Sequence, residues 1–156
     1  MKTTILACFP GVGKTWVAEH AEEFGVSILD LDSALFNWES ESVRSKDFPQ
    51  NYINSIKDAI GNVDVLLIST HKTVRDALIK EGIKFTVIIP RIKDKNLYLN
   101  RYRGRGNDES YVETLSHNWK AWLKEIEISS YVNGRRNYDC IILRTYLSDI
   151  LASCLE

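Results

Sequence analysis

The stretch "TTILACFPGVGKTWVAEHAEEF", residues 3–24, decides how the chain is read. "TTILAC" (3–8) is a short apolar run stopped by Pro-Gly, which predicts a buried strand. "KTWVAEHAEEF" (14–24) places Val17, Ala21 and Phe24 at helical spacing, and Gly25 closes it. Between them "PGVGKT" matches all but the first position of the phosphate-loop pattern G-x-x-x-x-G-K-[ST], in the strand–turn–helix context which that pattern requires. Gly11 and Gly13 let the backbone turn, so that its N–H groups and those of the helix start converge on an anion. Pro10, Val12 and Trp16 belong to the same binding segment. Lys14 brings a positive charge to the β and γ phosphates of ATP, and the Thr15 hydroxyl suits Mg²⁺. Cys8 stands where the pattern has its first glycine. Either it is a small buried residue, or its thiol is activated by the nearby helix N-terminus.

Outward from this stretch the chain alternates strands and helices. Strands are expected at 26–31, 63–69, 84–90 and 138–144, and helices at 49–62, with Ile53, Ile56 and Ile60 apolar, and at 72–82, 108–128 and 146–156, while 93–106 starts as a helix and breaks at Gly104 and Gly106. Residues 32–48 read as loop with a short helix. In the helix 108–128, Val112, Leu115, Trp119, Trp122, Leu123 and Ile126 form one apolar face. Continuous apolar strands separated by helices imply an α/β protein with a parallel sheet covered on both faces. Ligands then bind at the carboxyl ends of the strands.

Three residue groups follow at those ends. Asp30 and Asp32 in "ILDLDS" alternate on a strand, so both carboxylates face one side. They suit Mg²⁺ binding, or a base toward an acceptor hydroxyl. The third strand ends in Ser69, Thr70 and His71, without the acidic residue of motor-type ATPases, and the metal duty falls to Thr15 and to Asp30 or Asp32, with Asp30 the leading candidate. Ser69, Thr70, His71 and Arg75 are candidates for the acceptor side. "RYRGRG" sets Arg101, Arg103 and Arg105 among Gly104 and Gly106, a candidate arginine lid over about 93–110 that closes on ATP. Arg101 and Arg105 are the leading candidates there for contact with the transferred phosphate, and Arg103 for contact with the acceptor.

With 156 residues the chain suffices for one domain, 1–156, and is short for two. No apolar run is long enough to span a bilayer, and the N-terminus lacks a signal-peptide cleavage pattern. The scattered Cys8, Cys140 and Cys154 suit a reducing cytoplasm and argue against a disulfide framework or zinc site. A net charge of −1 gives no global attraction to nucleic acid, so any such contact needs a local basic patch. Arg135 and Arg136 read as solvated surface charge.

"PGVGKT", "DLD" and "RYRGRG", in that order along nearly the whole chain, resemble the small P-loop kinases: nucleoside monophosphate, shikimate and gluconate, and polynucleotide 5′-hydroxyl kinases. "VSILDLDSALFNW", "STHKTVRDALIKEGI" and "RYRGRGNDESYVETLSHNW" are similar to small kinases of bacteriophage genomes, some assigned as nucleotide kinases and others as kinases of 5-hydroxymethyl-deoxyuridine in DNA. The resemblance implies a three-layer α/β/α P-loop NTPase fold with a five-stranded parallel sheet in the order 2-3-1-4-5. It implies ATP and Mg²⁺ as cofactors, and Asp32 or Asp30 handling an acceptor hydroxyl on a nucleotide or nucleic acid. Two alternatives stand beside this. One is a nucleoside monophosphate kinase, for which Arg44 and Arg75 would hold the acceptor phosphate. The other is an ATP-binding module without turnover. The oligomeric state, monomer or dimer, is not readable.

Overall fold

The computed structural model describes residues 2–31 and 46–156. Asp32 and Arg44 lie outside the described residues, as does most of the expected loop 32–48. The chain is α/β. Five parallel strands form one sheet: β1 (Thr4–Cys8), β2 (Ile28–Asp30), β3 (Val65–Ile68), β4 (Thr86–Pro90) and β7 (Asp139–Leu143). β5 (Tyr131–Val132) and β6 (Arg135–Arg136) form a separate two-stranded hairpin. The helices are α1 (Lys14–Glu19), α2 (Ala21–Phe24), α3 (Gln50–Ala59), α4 (Lys72–Lys80), α5 (Lys95–Gly104), α6 (Glu109–Ser129) and α7 (Leu147–Cys154).

The sheet order is β2-β3-β1-β4-β7. The expected order was 2-3-1-4-5. The last label differs because the hairpin β5–β6 precedes the strand read at 138–144. Its turn is Asn133–Gly134, both at positive φ (53° and 74°), the backbone of a tight hairpin turn that this residue pair favours.

Burial follows position in the sheet. All four residues of β3 are buried, and so are four of five in β1 and β4. Neighbouring strand residues point to opposite faces, so both faces of the sheet centre are covered. The edge strands differ. β2, expected to be buried, exposes Leu29, and β7 exposes Asp139 and Ile142.

Several helix boundaries differ from the expected ones. The first helix breaks at His20, whose ring Nδ1 lies 2.7 Å from the Trp16 carbonyl oxygen, giving the short α1 and α2. Ile60, expected on the apolar face of α3, falls past its last residue and is exposed. Trp122, expected in the core, is 40% exposed, while Val112, Leu115, Trp119, Leu123 and Ile126 are buried. Among the described residues no helix is long and apolar enough to cross a membrane.

Candidate functional site

Because the five strands run parallel, their carboxyl ends share one edge. Register brings Asp30 opposite Leu67, and Ala7 opposite Ile68, so the ends of β2, β3 and β1 are level. Buried Tyr52 of α3 fastens two of them: its hydroxyl donates to the Leu31 carbonyl (2.6 Å) and accepts from the Ser69 amide (3.2 Å). A cavity of about 1260 Å³ opens along this edge.

The loop after β1 forms one wall. Its carbonyls are committed to neighbouring elements: Pro10 accepts from the Tyr102 hydroxyl (2.7 Å), Gly11 from Arg101 Nη1 (2.9 Å) and Val12 from the Leu147 amide (2.8 Å). The amides of Gly11, Gly13 and Lys14 have no backbone acceptor among the described residues. With the carbonyls held by these partners, the three amides are donors of the loop not taken up by other backbone groups. Gly11 and Gly13 sit at φ 91° and 104°, a conformation that side-chain-bearing residues rarely adopt. At Gly11 a Cβ would also lie 2.9 Å from ring carbons of both Tyr98 and Tyr102.

Lys14 Nζ lies 3.3 Å from Asp30 Oδ1, across the gap between the β1 loop and the end of β2. The contact is an ion pair without hydrogen-bond geometry: Asp30 Oδ1 is buried and has no hydrogen-bond partner, and the Ser69 hydroxyl is in the same condition. Both residues line the cavity, with Pro10, Gly11, Gly13, Thr15 and Trp16. Trp16 stacks on His20 with centroids 3.9 Å apart, so one ring face is already occupied. Val12 is buried and contributes backbone only.

Cys8 is buried, and its thiol donates to the Leu6 carbonyl. Burial pushes the thiol up to about 12, outweighing the opposing pull of Lys14. The activated-thiol alternative therefore fails, and Cys8 is a small packing residue at the strand exit.

The helix expected to start near residue 93 and break at Gly104 is α5, but its arginines are not all in the glycine-loosened connection expected after it. Arg101 and Arg103 lie in the last turns of α5, and only residues 105–108 connect α5 to α6. Arg101 is held between two rings, its guanidinium carbon 4.4 Å from the Tyr98 centroid and 4.0 Å from that of Tyr146. Arg105 lines the cavity, lies over Tyr102 and donates to Asn107 Oδ1. Arg103 does not line the cavity. It faces solvent and pairs with Glu109 (3.2 Å), because the helix turns it away from Arg101.

On the far side, Thr70, His71 and Arg75 line the cavity, but Arg75 is already engaged. It is 2% exposed. It donates through Nε to the Thr70 carbonyl (2.8 Å), through Nη1 to Glu125 and the Tyr138 hydroxyl, and through Nη2 to Glu125. Burial alone would raise the Glu125 carboxyl, but the hydrogen bonds from Arg75 and Ser129 and the Arg75 charge hold it below its usual range. His71 precedes α4 and meets the Phe48 ring edge-on.

Sequence reasoning missed Tyr98, Tyr102 and Tyr146 behind the loop, and Trp122, Thr114, Tyr111 and Glu125 along the cavity. One signal was present. Tyr98, Arg101 and Tyr102 at i, i+3 and i+4 share a helix face, and that face covers the loop.

Mg²⁺ coordinated chiefly by nucleotide phosphates and water needs one or two protein oxygens. The orphaned, buried Asp30 Oδ1 beside Lys14 and the Thr15 hydroxyl in the same cavity fit that requirement. Among the described residues no cluster of three or more His, Cys, Asp or Glu forms an all-protein metal cage.

No protein-family model matches the chain. No curated protein matches it either. Among solved structures the chain is similar to the crystal structure of an uncharacterized protein from Eubacterium ventriosum ATCC 27560, at 18% identity over 99% of this chain and 98% of that chain, with a TM-score of 0.49.

Proposed function

We propose that the protein is a Mg²⁺- and ATP-dependent kinase of the P-loop type that transfers the γ-phosphate to a hydroxyl of a nucleotide or nucleic acid. The observation that carries this reading is the meeting of Lys14 and Asp30 at 3.3 Å on the carboxyl edge of the sheet, beside loop amides that have no backbone acceptor. A cation, oriented N–H donors and a carboxylate are the parts phosphoryl transfer requires, since its catalysis is mainly positioning and charge stabilisation.

Each residue then has a task. The amides of Gly11, Gly13 and Lys14 hold phosphate oxygens, and Lys14 exchanges Asp30 for the β and γ phosphates. Thr15 and Asp30 would hold Mg²⁺, which when bound neutralises charge on the phosphate oxygens. Arg101 and Arg105 add positive charge at the cavity wall above the loop. Asp32, two residues beyond Asp30, orients or deprotonates the acceptor hydroxyl. Pro10 and Val12 anchor the loop from behind.

The monophosphate-kinase alternative needs arginines free to take a second phosphate. Arg75, one of its two candidates, is bound to Glu125, which favours a hydroxyl acceptor. Asp32→Asn separates the two by kinetics. With a hydroxyl acceptor, kcat is expected to fall by about 100- to 10,000-fold, the contribution of a positioned general base. A fall of less than about tenfold would transfer the reading to an acceptor that is already ionised.

A further inference from the structure

We propose that Trp122 is the stacking platform for a nucleobase on the acceptor, so that the far half of the cavity recognises a base-bearing substrate by its flat ring. The inference rests on the kinase reading for what happens at the loop and shares Arg101 and Arg105 with it, but its central residue, Trp122, has no part in that reading.

Two tryptophans lie three residues apart on α6 with opposite fates. Trp119 is 1% exposed and its indole N–H donates to the Ile92 carbonyl (2.8 Å), so it is a satisfied core residue. Trp122 is 40% exposed and lines the cavity. On a helix of 100° per residue, Tyr111 and Trp122 lie on one flank of the buried stripe, between its edge residues Leu115 and Ile126 and the neighbouring Thr114 and Glu125. That flank runs from Tyr111 to Ile126, about 22 Å at 1.5 Å per residue. The cavity is therefore a trough that reaches from the α5–α6 connection to the Arg75–Glu125 pair.

Its volume of about 1260 Å³ exceeds the roughly 300–1,000 Å³ of a pocket for one small ligand, which leaves room for a second beside ATP. The lining says what chemistry that second ligand has. Trp122 offers a large aromatic face, and base–aromatic stacking is tolerant of sequence because every base has a π-face. Of the cations in the trough, Lys14 is paired with Asp30, Lys72 with Asp76 and Arg75 with Glu125. Arg101 and Arg105 have no carboxylate partner among the described residues. An aromatic platform together with unneutralised arginines is the combination that holds a base and its phosphates. The base can come from a free nucleoside or from a single strand, and the test separates them.

The test is calorimetric titration of the full chain with thymidine, with a single-stranded oligothymidylate, and with 2-deoxyribose as the base-free control. Wild type is expected to bind one or both base-bearing probes and not the sugar. The probe that binds identifies the source. Trp122→Ala is expected to weaken that binding by roughly 5- to 150-fold, the range for loss of one stacked base, and Trp122→Phe to restore most of it. ATP binding and the unfolding temperature should hold in both variants. Undiminished binding by Trp122→Ala, or binding of neither probe by wild type, overturns the proposal. Phosphate transfer to a hydroxyl of a nucleotide or nucleic acid would then leave the kinase reading standing. Base-dependent binding without phosphate transfer to any acceptor would sink the kinase reading and keep this site.

Discussion

Lys14→Ala is expected to lower phosphoryl transfer by roughly 100- to 1000-fold while leaving the protein folded. Removing one preorganised charge-stabilising donor from a transfer site has that magnitude. The fold should tolerate the change. The Lys14 and Asp30 side chains are 23% and 22% exposed, and a pair screened in this way contributes at most about 1 kcal/mol. The effect should concentrate on ATP. Asp30 is left without its counter-charge, but the loop carbonyls remain pinned by Tyr102, Arg101 and Leu147. Steady-state kinetics with calorimetric ATP titration check it. Unchanged turnover in a folded Lys14→Ala protein would show that this loop does not handle the transferred phosphate.

The second large effect concerns stability. Arg75→Met is expected to destabilise the protein by about 3 kcal/mol, at the lower end of the range for breaking a buried ion pair, because Glu125 is 34% exposed and can rehydrate. In a chain of this size that lowers the unfolding temperature by roughly 6–12 °C. Arg75 links three elements: the end of β3 through the Thr70 carbonyl, α6 through Glu125, and Tyr138 before β7. The double variant Arg75→Met/Glu125→Met should recover much of the loss, since it removes both charges. There is also a pH dependence. The Glu125 carboxyl lies below its ordinary value of 4.5 when folded, so the pair stabilises the native state above about that pH. The contribution is lost as pH falls through the lower folded value, and Arg75→Met should lack this part of the acid sensitivity. Calorimetric scans from neutral pH to pH 3 measure both. A shift under about 2 °C for the single variant would contradict the account.

The central strands were legible because they are buried on both faces, and unbroken runs such as "VLLI" reflect this directly. The edge strands were read as equally buried, since sequence does not say which strand ends the sheet. The hairpin at Asn133–Gly134 carried a recognised turn signal, but its two-residue strands are too short to show alternation. At the site, the glycine–lysine loop and Asp30 were legible as local spacing plus the strand-end rule. Arg75 was legible as a residue of the strand-end region, but its engagement with Glu125 was not, because that partner lies fifty residues away and no local pattern announces the pair. Trp122 was read as core, since it adjoins the buried stripe of α6 and hydrophobicity alone cannot separate the stripe from its flank. The helix before the arginine segment and its break at Gly104 were legible, but the segment was read as mobile because two glycines stand in it. Arg101 and Arg103 instead belong to the last turns of α5, and Tyr98 and Tyr102 bind that helix to the loop below.

The measurement that tests the account most directly follows the label from [γ-³²P]ATP in the presence of Mg²⁺. The acceptors are nucleosides, nucleoside monophosphates, 5′-hydroxyl oligonucleotides and DNA containing 5-hydroxymethyluracil, with shikimate as a hydroxyl compound without a base. The account predicts label on a hydroxyl of a base-bearing acceptor, lost when Mg²⁺ is chelated. Label on none of them, on shikimate alone, or solely on the phosphate of a monophosphate would contradict it.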